Sequence, residues 1–219
     1  KISSRWSDVF VGDDLAIRTI TNIRAVSEKY AQNIGADIVI YDTSPSLGML
    51  NRMTLSMADA FIVPCNPDLF SIYGIKNIGR SLDTWSKNFA ILRQVLPVNR
   101  QSFFPKNGVK FLGYTIYKST KYAGQNEWDL ATGHYNYARQ IPEAIQKSIP
   151  PELRAPLDSK TINTPIGDTS IMHSHQTMAT MSQKYKVPMW NVPDANLDNG
   201  DKGTIGGNAA RYRDTQASY

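Results

Sequence analysis

Cysteine and long apolar runs are scarce in this chain of 219 residues. The single cysteine, Cys65, excludes an intramolecular disulfide and fits a reducing compartment. No stretch reaches the roughly 18 consecutive apolar residues that a membrane-spanning helix needs, so we expect no integral membrane segment. The phosphate-binding pattern Gly-x-x-x-x-Gly-Lys-Ser/Thr is also absent, which excludes a loop of that form within these residues.

The composition is that of a folded protein with a mild excess of positive charge. Hydrophobic residues make up 41% and charged residues 20% of the chain, which predicts one domain with a packed core. The net charge of +5 favours an anionic partner such as DNA or an acidic membrane surface. A slightly basic protein without an anionic partner is the alternative that charge alone leaves open.

The most informative stretch runs from residue 36 to residue 79. It opens with the apolar run Ile38-Val39-Ile40 and reaches an acid at Asp42, followed by a turn over 43–48 that we call the switch loop. A helical segment, a second apolar run and a Pro-x-x-Pro turn from Pro64 to Pro67 come next. An acid at the carboxyl end of a buried strand lies where α/β folds hold ligands, and its carboxylate can bind Mg²⁺ directly or through water. An aspartate that only caps the following turn is the alternative.

These residues resemble the ParA/MinD family of deviant-Walker ATPases, and within it the ParA (Soj-like) DNA-partition branch. The resemblance is strong over 36–79 and weaker over Val109–Tyr117 and Ile141–Pro193. One position departs from the family pattern, because Ser44 stands where the first proline usually occurs. The matching motifs are Asp42-Thr43-Ser44-Pro45-Ser46-Leu47-Gly48, Ala58-Asp59, Phe61-Ile62-Val63-Pro64 with Pro67, and Ser71-Ile72-Tyr73-Gly74.

The resemblance implies an α/β fold of the P-loop NTPase kind, with a mostly parallel sheet and helices on both faces. We expect residues 1–219 to form a single domain, the C-terminal portion of a ParA-like ATPase domain. In that interpretation the first strands, and the lysine of the phosphate-binding loop, belong to an N-terminal part outside these residues. The alternative is a degenerate relative that has lost nucleotide binding.

The resemblance also implies an ATP–Mg²⁺ site. Asp42 would be the catalytic acid that holds Mg²⁺ through water. In the switch loop, Ser46 and Gly48 would sense the γ-phosphate, since glycine lets a main-chain N–H approach a phosphate oxygen. A glycine that merely ends the turn is the alternative for Gly48.

An adenine pocket is implied further along the chain. It would be formed by Pro64 and Pro67 together with Tyr117, whose ring can stack on a base. Tyr117 as an ordinary core or surface tyrosine is the alternative.

For function, the resemblance implies a ParA-type ATPase in plasmid or chromosome partition. It would form a homodimer with ATP, bind DNA nonspecifically, respond to a ParB-like partner and stay in the cytoplasm on the nucleoid, without a membrane partner. Two alternatives remain: a non-catalytic DNA- or protein-binding scaffold, and a MinD-like membrane-positioning ATPase, which the polar segment Asn208–Tyr219 disfavours. The dispersed basic residues expected to hold DNA phosphates are Lys118, Lys121, Lys160, Lys184, Lys186, Lys202, Arg211 and Arg213.

Periodicity predicts strands that alternate with helices, as in a parallel α/β sheet. We expect loops over Pro97–Gly108 and Asn191–Gly207. The predicted strands are Ile38–Ile40, Ala60–Val63 and Val109–Tyr117, and the predicted helices are Leu15–Tyr30, Leu50–Met57, Ile75–Leu96, His134–Ile149, Met172–Tyr185 and a start at Asn208.

Overall fold

The computed structural model describes residues 2–44, 46, 48–119, 124, 126–168, 172–173, 175 and 177–218. Within these residues the chain alternates helices with a short parallel sheet, which confirms the predicted α/β class. The strands are β1 Ala60–Cys65, β2 Lys110–Ser119 and β3 Met172–His173. The helices are α1 Ile2–Phe10, α2 Asp14–Ile34, α3 Met49–Met57, α4 Leu69–Val95, α5 Val98–Gln101, α6 Thr132–Ala138, α7 Ile141–Ser148, α8 Ser159–Asn163, α9 Thr177–Tyr185, α10 Asn199–Gly207 and α11 Ala209–Asp214.

The sheet has the order β1-β2-β3, and both pairings are parallel. A bulge interrupts the first pairing, because Phe61 pairs with Phe111 and Ile62 pairs with Gly113, which leaves Leu112 as an extra residue. Gly113 takes a φ of +154°, and a Cβ there would lie 3.2 Å from the side chain of Ile166. The bulge therefore requires glycine both for its backbone conformation and for its close neighbour.

Three clusters of buried apolar residues hold the elements together. The first joins β1, β2 and the first half of α4 to α7, and the second joins α1, α2 and α3 to the second half of α4. The third lies within 177–218 and is built around Met178, Val192, Ile205 and Tyr212. Helix α4 thus contributes to the first two clusters, whereas the third draws only on the C-terminal segment.

Local signals explain the longest helices. The side chain of Asp13 accepts a hydrogen bond from the main-chain N–H of Ala16 at the start of α2, and Gly35 ends that helix in the left-handed conformation with a φ of +68°. Asp68 caps α4 in the same way by accepting from the N–H of Ser71 at 2.9 Å. Both helices were predicted; α2 extends beyond both predicted bounds, whereas α4 begins six residues earlier than predicted and ends one residue earlier.

Several predicted elements are wrong in type or extent. The predicted helix over His134–Ile149 is two helices, α6 and α7, and Pro142 lies in the first turn of α7, where a missing N–H costs nothing. The predicted helix over Met172–Tyr185 begins only at Thr177, since Met172 and His173 pair with β2. The loop expected over Asn191–Gly207 contains α10, where burial of Ile205 outweighs the low helix propensity of its glycines.

The strand predicted at Ile38–Ile40 does not join the sheet. Residues 36–42 form no regular secondary structure and have no strand partner in the described part of the chain. Ile38 is 77% and Ile40 is 88% exposed. The β-branched residues favour an extended backbone, but a strand forms only where a neighbouring strand takes up its main-chain hydrogen bonds.

Candidate functional site

Asp42 is the last residue of the segment 36–42, directly before the switch loop. Its side chain is exposed, and no hydrogen bond or ion pair to it occurs within the described residues. No group of three His, Cys, Asp or Glu side chains in that part of the chain is placed to hold a metal ion. Asp42 is therefore a lone, accessible carboxylate, and a cation held there would need water or ligand oxygens to complete its coordination.

The switch loop is tied to helix α3 by the side chain of Asn51. The amide nitrogen of Asn51 donates to the main-chain oxygens of Ser44 and Ser46 at 2.6 and 2.7 Å. The hydroxyl oxygens of the same two serines lie 3.0 and 3.2 Å from that nitrogen. Pro45 and Leu47 lie outside the described residues. Ser46 is thus positioned through its main chain by a buried amide.

Gly48 is the residue that caps the start of α3. It has an extended backbone with a φ of −65°, and no side chain accepts a hydrogen bond from the first turn of the helix. The first intrahelical bond runs from the N–H of Arg52 to the carbonyl of Gly48. The N–H groups of Met49 and Leu50 therefore have no partner in the described structure, and such a helix start attracts anions.

Asn51 was missed by the sequence reasoning. Asn51, Thr54 and Met57 follow each other at intervals of three along α3 and are all buried. A signal was present, because two polar residues on the core-facing side of a short apolar helix need hydrogen-bond partners. Nothing in the sequence shows that the partners of Asn51 are the loop carbonyls.

Pro64, Pro67 and Tyr117 lie near the carboxyl ends of two neighbouring parallel strands. Pro64 pairs with Thr115 in the sheet, and Tyr117 comes at the end of the same stretch of β2. Between the two prolines, the side-chain oxygen of Asn66 is buried without a hydrogen-bond partner in the described structure. This turn therefore lies at the edge of the sheet where α/β folds bind ligands, and its unsatisfied acceptor is enclosed by the protein.

The structure groups the predicted site residues into two sets. Asp42, Ser46 and Gly48 lie together before α3, whereas Pro64, Pro67 and Tyr117 lie together at the sheet edge. Within the described ranges, no hydrogen bond or ion pair joins one set to the other.

Arg24 connects α2 to the end of α3. Its guanidinium donates to the main-chain oxygen of Met57 at 2.8 Å and to a carboxylate oxygen of Asp59 at 2.9 Å. Burial lowers the pKa of Arg24, but its hydrogen bonds and charge interactions with Asp59 and Glu28 outweigh burial and raise that pKa overall. Asp59 therefore has a structural partner, which leaves Asp42 as the free acid of the motif.

Residues 13–95 match the family model described as an AAA domain. A ParA family protein from Mycoplasma pneumoniae is 30% identical over 60 residues, and ParA family protein MG470 from Mycoplasma genitalium is 28% identical over the same length. Residues 13–95 are thus similar to an AAA domain, and a stretch of 60 residues is similar to ParA family proteins. This confirms the resemblance stated from the sequence.

The ParA-like match covers only part of each protein. Each Mycoplasma alignment spans 27% of this chain and 22% of the relative. The crystal structure of a Corynebacterium diphtheriae protein superposes with a TM-score of 0.51 at 20% identity, covering 77% of this chain and 60% of that one. At this identity the superposition supports the fold alone. No helix in the described part of the chain is both long and apolar enough to cross a membrane.

Proposed function

We propose that the protein is a ParA-type ATPase that acts in DNA partition. The observation that carries the proposal is a free carboxylate at Asp42, two loop carbonyls held by Asn51, and an uncapped helix start at Gly48, in that order along the chain. Bound ATP–Mg²⁺ would supply the phosphoryl group for hydrolysis. The similarity of residues 13–95 to an AAA domain and of 60 residues to ParA family proteins supports the same interpretation.

The residues present fit part of an ATP–Mg²⁺ site. Asp42 is open to hold a cation through water, and Gly48 leaves the start of α3 accessible to a phosphate. Pro64 and Pro67 flank Asn66, whose side-chain oxygen is enclosed by the protein and has no hydrogen-bond partner in the described structure. Nucleotide binding also requires a phosphate-binding loop, which these 219 residues do not contain.

Nonspecific DNA binding is the second element of the proposal. The net charge of +5 supports an anionic partner. Two of the basic residues are already neutralised locally, since Lys184 pairs with Asp198 and Asp201, and Arg213 pairs with Asp194. We therefore expect Lys160, Lys186, Lys202 and Arg211 to contribute more. The side chains of Lys118 and Lys121 lie outside the described part of the chain.

One observation bears on the MinD-like alternative, which would need a free amphipathic helix to lie on a membrane. Helix α11 has six residues, and its Tyr212 is buried in the third apolar cluster, so this helix has no free apolar face. The scaffold alternative differs from the ATPase in binding no nucleotide, so nucleotide binding is the property to test first.

The experiment is calorimetry of ATP–Mg²⁺ binding to the protein expressed from its native gene, with intact mass measured on the same sample. We expect micromolar binding that Asp42→Asn weakens when Mg²⁺ is present. Asp37→Asn is the matched control, because Asp37 is an exposed acid in the same segment, 36–42. Absence of ATP binding by the wild-type protein would favour the scaffold.

Dimerisation, DNA and partner binding are tested separately. Light scattering with and without ATP should show an ATP-dependent homodimer. Anisotropy with two unrelated DNA duplexes should give equal affinities that fall with salt. We also expect that a ParB-like protein stimulates hydrolysis, that the protein localises on the nucleoid, and that it does not float with liposomes.

A further inference from the structure

The hydrogen bonds from Asn51 of α3 to the switch loop have a role that the proposed function does not explain. It is the third residue of α3 and only 5% exposed. A side-chain amide has two N–H donors, and the two shortest contacts, at 2.6 and 2.7 Å, are to the main-chain oxygens of Ser44 and Ser46. One buried side chain therefore fixes two carbonyls of the loop that precedes its own helix.

This contact differs from ordinary helix capping. In a capping box, a glutamate or glutamine at the third helical position accepts a hydrogen bond from the N–H of the capping residue. Asn51 instead donates, and it donates to carbonyl oxygens five and seven residues earlier in the chain. The contact leaves the N–H groups of the first turn of α3 without a side-chain partner.

The electrostatic consequence concerns anions. Carbonyl oxygens carry partial negative charge and repel a phosphate, whereas main-chain N–H groups attract one. Because the amide of Asn51 donates to the main-chain oxygens of Ser44 and Ser46, these two oxygens point toward α3. The two carbonyl oxygens therefore do not compete with a phosphate for the N–H groups at the uncapped start of α3.

We infer that Asn51 is a positioning residue that keeps the main chains of Ser44 and Ser46 in the arrangement that accepts a terminal phosphate, and so sets the preference for a nucleoside triphosphate over a diphosphate. The inference rests on the proposed function, because it requires that the loop faces the terminal phosphate of a bound nucleotide. Asn51 does not itself contact the nucleotide in this account.

The test uses the protein expressed from its native gene and two substitutions. Asn51→Leu keeps the approximate volume and removes both donors, and Asn51→Asp places a carboxylate against two carbonyl oxygens. Thr54→Val is the matched control, since Thr54 is 6% exposed on the same helix and its hydroxyl donates only to the carbonyl of Leu50. Calorimetry with Mg²⁺ gives the affinity for ADP and for a non-hydrolysable ATP analogue, and hydrogen exchange reports on 43–48.

We expect Asn51→Leu to weaken binding of the ATP analogue about tenfold while ADP binding changes less than about twofold, as for the loss of one or two hydrogen bonds that act on one phosphate. Asn51→Asp should lose at least as much, and both should speed exchange in the loop. Thr54→Val should leave the ratio of the two affinities unchanged.

Two other outcomes overturn the inference. If Asn51→Leu weakens both nucleotides equally, or neither, Asn51 is only a structural residue, while the wild-type preference for the ATP analogue keeps the proposed function intact. If the wild-type protein binds neither nucleotide, the proposed function fails and the inference falls with it.

Discussion

Gly79 of helix α4 lies against the main-chain carbonyl of Ser148 at the end of α7, with no space for a side chain between them. A Cβ at Gly79 would overlap both the carbonyl carbon and the oxygen of Ser148, so the two helices pack at backbone contact. Backbone atoms cannot move aside as the end of a flexible side chain can.

Gly79→Ala should therefore destabilise the protein by about 1–3 kcal/mol, because α4 and α7 must separate. Gly74→Ala is the matched control, since Gly74 lies on the same helix and a methyl group there would have nothing within 4 Å of it. That substitution should stabilise the protein by about 0.5–1 kcal/mol through helix propensity. Urea unfolding followed by circular dichroism measures both, and equal effects at the two positions would contradict the packing argument.

Arg52 lies between two tryptophan rings. Its guanidinium carbon is 4.3 Å from the ring centre of Trp6 and 5.7 Å from that of Trp85, and burial lowers its pKa. Arg52→Ala should cost about 1–2 kcal/mol and shift the tryptophan emission, because a stacked and partly desolvated cation is lost. Arg80→Ala, at an exposed position on α4, should change the free energy of unfolding by less than about 0.5 kcal/mol.

The thiol of Cys65 should be unreactive in the folded protein. Burial, aided by the charge of Asp68, raises the pKa of Cys65 from 9.0 to about 12. We expect no labelling by iodoacetamide at pH 8 until urea unfolds the chain, after which labelling should be complete. Labelling of the native protein at the rate of a free thiol would show that the side chain is accessible.

The same thiol predicts how stability depends on alkaline pH. The unfolded thiol ionises at its ordinary pKa of 9.0, whereas the folded thiol keeps its proton until about pH 12. The folded state therefore binds more protons in this interval, and the contribution of Cys65 to stability, complete below pH 9.0, is lost as the pH rises toward 12. Cys65→Ala should flatten this part of the curve of unfolding free energy against pH.

The segment 36–42 should promote association of this chain with other copies. Ile38 and Val39 line a groove of about 370 Å³ together with Val26, Tyr30 and Ile34 of α2, all of them exposed. Unpaired main-chain groups beside apolar side chains invite pairing with another chain. Ile38→Thr combined with Val39→Thr should lower association of the 219-residue chain in light scattering, whereas Val98→Thr, at another exposed apolar position, should not.

The parts of the fold that the sequence predicted are those with strong local signals. Helices α2 and α4 have capping aspartates and long apolar periodicity, and β1 follows directly from its apolar run. The strand predicted at 38–40 was wrong, because strand pairing depends on a neighbour that local sequence does not specify.

The candidate site was predictable as a list of positions and not as an arrangement. The motif around Asp42 located the acid, the loop and the helix start in the correct order. The role of Asn51 depends on the path of the loop, and the pairing of Asp59 with Arg24 depends on the packing of α2 against α3. Both are tertiary relationships that no spacing in the sequence encodes.

The separation of the buried clusters has a consequence for cooperativity. Because α4 supplies Leu82 to the first cluster and Leu92 to the second, we expect these two parts of the chain to fold and unfold together. The third cluster shares no buried residue with them, so residues 177–218 can open while the rest remains folded. Heat denaturation of this chain is then a sequence of two transitions, and no single melting temperature describes it.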